Sequence, residues 1–144
     1  MQRLGFQEAI DRILARHDDY DQDAYHFLRE ALEFTVKRQQ KKRGDSSRHV
    51  SARQLLDGWR DYALREFGPM VPTVMEAWGI ASSRDIGVMV FRLIDVGVFG
   101  RNQEDTLEKF EDALDFRAAF VDPFLPPARR AAGSRAQTNA MKNQ

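Results

Sequence analysis

The sequence predicts a mainly helical single domain of five helices. Three observations carry this. Apolar residues recur at three- and four-residue spacing through most of the chain, the mark of a helix with one buried face. Helix punctuation separates the periodic runs, with Ser or Asp ahead of them and Gly or Pro behind. The 144 residues, 42% hydrophobic and 31% charged, suit one folded domain with a real core.

The first helix runs from about Gly5 to Arg16, with Phe6, Ile10, Ile13 and Leu14 on one face. The acidic turn "HDDYDQD" follows, and Asp21 or Asp23 can cap the second helix. Tyr25, Leu28, Leu32, Thr35 and Val36 form its core stripe, out to about Gln40. Gly44, Asp45, Ser46 and Ser47 then break the pattern in "KKRGDSSRH", a charged and mobile loop. The third helix starts after Ser51 and buries Leu55, Leu56, Trp59, Ala63 and Phe67.

"FGPMVPTVMEAWGI" is read as a corner. Gly68 suits the position where a left-handed residue ends a helix, and Pro69 directly after it prevents continuation. Pro72 lacks an N–H, but the first helical turn leaves its N–H groups unpaired in any case. Gly68, Pro69, Pro72 and Trp78 therefore mark a tight turn into a fourth helix, ended by Gly79. That corner should place Trp59, Phe67, Met75 and Trp78 in one buried cluster with the fifth helix.

Ser83 is the expected cap of the fifth helix, "SRDIGVMVFRLIDVG", which is apolar on most sides and should be the most buried. "VGVFGRNQEDTLEKF" leaves two readings open. One is a β-hairpin near residues 98–110, with Val98 to Arg101 paired to Thr106 to Phe110. The other is a strand and then a helix, because Asp105 and Glu108 have capping-box spacing. With the hairpin, the element order resembles a winged helix, but a recognition helix holding only Arg84 and Arg92 as cations, opposed by Asp85 and Asp95, does not suit a DNA groove. A protein-contact version would fit better. The domain should span residues 1–126, and 127–144 should be a disordered tail.

Function is much less legible. Zero cysteines exclude disulfides, thiolate metal sites and cysteine nucleophiles. The N-terminus resembles no signal peptide and no run is long enough to span a membrane, so a cytoplasmic protein is expected. "DYDQDAYHFLRE" has alternating aspartates like a calcium loop, but Ala24 replaces the required glycine and the window overlaps a helix. His17, His26 and His49 include no pair at i, i+4 spacing. No metal site, cofactor motif or catalytic residue is predicted.

Charge is neutral overall but uneven. Residues 37–53 hold seven basic side chains and one acidic, whereas residues 1–36 hold four and eight. Lys37, Arg38, Lys41, Lys42, Arg43, Arg48 and Arg53 are therefore the nucleic-acid candidates, suited to phosphate contacts and not to base reading. The same cations also complement the negative end of a helix.

The runs "RHVSARQLLDGWRDYALREFGPMVPTVMEAWGI", "FQEAIDRILARHDDYDQDAYHFLREALEFTVKR" and "FEDALDFRAAFVDPFLP" resemble a small conserved hypothetical bacterial family largely restricted to planctomycetes and verrucomicrobia. The resemblance covers about residues 5–126 and rests on the "FGPM" corner and the "PFLP" end. It implies a compact single-domain cytoplasmic protein, with the basic loop and the tail as variable parts. It carries over no activity, ligand or site residue. The expected function is a non-catalytic interaction or adaptor module with an unknown protein partner. Backbone nucleic-acid binding through residues 37–53 is the alternative, and an enzyme whose site is invisible in sequence is a third.

Overall fold

The computed structural model describes residues 5–100 and 106–127. These residues are mainly helical, with no strand among them. In order come α1 (Phe6–Leu14), α2 (Gln22–Arg43), α3 (Ala52–Phe67), α4 (Val71–Trp78), α5 (Ser83–Asp95) and a short α6 (Phe116–Phe120). Single 3-10 turns at Gly68–Met70, Leu107–Phe110 and Asp122–Phe124 link or follow them.

Local chemistry sets the ends. Asp21 caps α2 by accepting from the Asp23 N–H at 2.8 Å. Ser51 and Gln54 form a reciprocal capping box on α3, each side chain accepting from the other's backbone N–H at 3.1 and 2.9 Å. Gly68 ends α3 with φ 52° and ψ −129°, a conformation that a Cβ disfavours. Pro69 then sits in the 3-10 turn and Pro72 in the first turn of α4, where its missing N–H loses no helical bond.

The longest helices, α2 and α3, pack along each other. Gly58 makes this approach possible: a Cβ there would lie 1.7 Å from Thr35 Oγ1. Thr35, fully buried, donates its hydroxyl to the Ala31 carbonyl at 2.7 Å, so its own polar group is met within α2. Phe27 of α2 is the aromatic hub, with ring centroids 5.5 Å from Trp59, 5.4 Å from Phe67 and 5.3 Å from Trp78. Phe27 lies outside the stripe predicted for α2, which ran through Tyr25 and Leu28.

Several expectations are corrected. The hairpin does not form: Val98 and Phe99 lie in a turn whose N–H groups return to the Leu93 carbonyl, and Leu107–Phe110 is a 3-10 turn. Phe110 is fully buried against α5, and the buried Ser83 hydroxyl donates to its carbonyl while accepting from the Ala113 N–H. Those contacts fix a compact turn where a strand was expected, and the winged-helix order falls with the hairpin. Nor do residues 106–114 form the alternative helix, whose expected cap Asp105 lies outside the described residues. Residues 101–105 lie outside the described residues, as does the tail expected over 127–144 apart from Pro127. Ser82, not Ser83, precedes α5, with the Asp85 carboxylate accepting from the Ser82 N–H at 3.1 Å. Trp78 and Phe67 are half-buried at the edge of the aromatic cluster and not within it.

Candidate functional site

The predicted basic segment is largely consumed by the fold. Arg38 pairs with Asp61 at 2.7 Å and Arg48 with Glu33 at 2.6 Å. Arg43 reaches Asp45 at 3.4 Å and the Ser47 carbonyl at 3.1 Å, and Arg53 reaches Asp57 at 3.6 Å. These contacts fasten the end of α2 and the following loop to α2 and α3. Lys37, Lys41 and Lys42 are exposed and make no ion pair among the described residues. Of the seven residues proposed for phosphate contact, the three lysines remain open.

Asp61 sits between Arg38 and Arg60. Burial would raise its pKa, but the hydrogen bonds from Arg60 and Arg38 outweigh this and hold the carboxyl low. The Asp57–Asp61 pair on one helix face thus anchors arginines.

A second polar cluster joins the α1–α2 turn to α5. Arg92 grips Asp19 through both guanidinium ends, at 2.7 and 3.1 Å, and donates to the Tyr25 hydroxyl at 3.1 Å. Burial lowers the Arg92 pKa, and the bonds to Asp19 and Tyr25 overcome that and raise it. The hydrogen bond from Arg92 lowers the Asp19 pKa. Alongside, the buried Tyr20 hydroxyl donates to Asp85, whose other oxygen accepts from the Ala81 and Ser82 N–H groups. Burial, followed by that carboxylate, raises the Tyr20 pKa. In the run that resembles a calcium loop, Asp19 is taken by Arg92 of α5 and Asp21 by the α2 cap. His26 bonds Gln7 at 2.8 Å and its ring packs on Phe6. Each of these groups ties elements together.

The feature that sequence reasoning missed is a groove of about 480 Å³ between α4 and α6. Pro72, Met75 and Ile80 form one wall, and Phe116, Phe120 and Val121 the other. The α4 residues share a face at helical spacing, so half of the groove was visible in the sequence. The other half depends on a five-residue helix capped by Asp115, which accepts from the Ala118 N–H at 3.1 Å. Trp59 holds that helix in place, its ring 6.2 Å from Phe116 and 6.0 Å from Phe120. Glu76 and Arg117 also border the groove, and Arg117 is taken by Asp122 at 3.3 Å. Glu76 makes no ion pair among the described residues, so its charge is the one left open. The corner predicted from Gly68, Pro69 and Pro72 aims α4 and thereby sets this wall.

No family model, no curated protein and no solved structure matches the chain.

Proposed function

We propose that this chain is a non-catalytic interaction module that docks a partner peptide in the α4–α6 groove. The observation that carries this is an apolar cleft bordered by one unpaired carboxylate, Glu76. Met70 and Phe124, 54% and 46% exposed, extend the accessible apolar surface at the two chain segments that flank the groove walls. An occupant matching this chemistry has an apolar anchor for the space between Met75 and Val121 and a Lys or Arg beside it for Glu76. Asp19, Asp61, Asp85 and Arg92 are taken by bonds that tie elements together, whereas the groove carboxylate is free to meet an occupant. The family resemblance adds no residue to this reading.

The test is selection from a displayed random-peptide library. Peptides with an aromatic or aliphatic anchor next to a basic residue should be enriched. Val121→Lys, at a half-buried wall position, should abolish their binding, and Glu76→Lys should shift selection to acidic flanks. No enrichment, or binding indifferent to Val121→Lys, overturns the proposal. Self-association of the chain lost in Val121→Lys would assign the groove to a second copy instead.

A second reading rests on Lys37, Lys41 and Lys42, whose exposed ammonium groups remain open at the end of α2. As phosphate contacts they would bind nucleic acid regardless of sequence and weaken with salt. Alanine at all three positions should then reduce retention on a polyanion column. Unchanged retention removes this reading.

A further inference from the structure

We propose that the cleft between the C-terminal ends of α1 and α5 binds the phosphate group of a small phosphorylated molecule. This cleft, of about 520 Å³, is separate from the α4–α6 groove. Arg12, Arg16, His17 and Arg92 line it, against one lining carboxylate, Asp95. Ile13 and Val96 supply apolar wall.

Arg12 and Arg92 occupy the last turns of α1 and α5, where a cation complements the negative helix end. Arg16 and His17 lie just beyond the end of α1. Arg12 and Arg16 are exposed and make no ion pair among the described residues. Arg92 differs in being fixed: Asp19 and Tyr25 hold its Nη atoms, and the guanidinium lies over the Tyr20 ring at 5.3 Å. Its Nε–H makes no hydrogen bond among the described residues. One anchored and two adjustable guanidiniums suit a tetrahedral oxyanion, which accepts several charge-assisted hydrogen bonds at once. Asp19 already offsets Arg92, so the affinity rests chiefly on Arg12 and Arg16. Asp95 would accept a hydroxyl from the organic part, and Ile13 and Val96 would cover that part.

The test is calorimetric titration with pyrophosphate, and separately with inorganic phosphate, in a phosphate-free buffer at low salt. Saturable binding of one equivalent is expected. Arg12→Gln combined with Arg16→Gln should weaken it at least about tenfold, since two charge-assisted bonds are lost. Lys41→Gln combined with Lys42→Gln should leave it unchanged. If the double arginine variant fails to fold, by circular dichroism, Arg16→Gln alone supplies the same comparison from a position outside the helix. Absence of saturable binding up to on the order of 10 mM ligand, a range weaker than most specific sites, overturns the proposal. So does binding lost in the lysine variant and retained in the arginine variant. An oligonucleotide that binds through Arg12 and Arg16 more tightly than pyrophosphate would overturn the small-molecule assignment. None of these outcomes bears on the α4–α6 groove, which Val121→Lys tests.

Discussion

At the scale of single residues, the two tryptophans show how position decides energy. Trp59 is 1% exposed and touches Phe27 on one side and Phe116 and Phe120 on the other. Trp59→Ala should therefore cost about 3–5 kcal/mol, the range for emptying a buried aromatic site. Trp78, half-buried, should lose clearly less on truncation, because solvent fills part of the space. Paired chemical denaturation of the two variants checks the order. Gly68 isolates a different term. A Cβ there meets nothing within 4 Å, so Gly68→Val costs only its backbone conformation, at least about 1–2 kcal/mol, read as a lower denaturation midpoint. The Asp19–Arg92 pair gives a pH signature. Asp19 has a lowered pKa in the folded chain, below its ordinary value of 3.8. Its contribution is therefore complete above 3.8 and lost as pH falls through the folded value. Acid titration of the melting temperature should show Asp19→Asn converging on the parent chain at low pH and separating from it above about pH 4.

At the scale of elements, caps and tertiary contacts divide the work. The helices α1 to α5 were legible because each carries its own stripe and stop. Asp21, Ser51, Gly68 and Gly79 act within a turn of where they stand, so the sequence alone exposes them. The Ser82–Ser83 error is a shift of one residue between adjacent serines, and the tertiary bond from Ser83 to Phe110 decides it. Residues 106–120 were illegible for a related reason. Leu107–Phe110 is shaped by Ser83 and by α5. Helix α6 is too short to display a period, and it depends on Trp59. If that dependence is right, Phe120→Ala should destabilise the whole domain, by about 3–5 kcal/mol, because Phe120 is 1% exposed. It should also open the groove wall. A single cooperative unfolding transition at lower denaturant is the expected record, whereas an unchanged midpoint would show α6 to be an appendage.

At the scale of the whole molecule, the described residues present three candidate surfaces. They are the basic end of α2, the cationic cleft at the ends of α1 and α5, and the α4–α6 groove. Charge patterning in the sequence pointed to the first alone. Arg53–Asp57 and Arg43–Asp45 are local pairs within reach of sequence spacing, but Arg38 meets Asp61 only through the packing of α2 and α3, and Arg48 meets Glu33 only when the loop folds back on α2. The groove was hidden for a stronger reason. Its walls, Pro72 to Ile80 and Phe116 to Val121, are far apart in sequence and meet only when Trp59 has seated α6. The central claim is that this groove is where a partner docks. Amide chemical-shift mapping of the full chain with a library-selected peptide tests it most directly. Saturable shifts confined to Glu76, Ile80, Ala81, Phe116 and Val121 and their neighbours are expected. Shifts concentrated at Lys37, Lys41 and Lys42, with the groove silent, would contradict it.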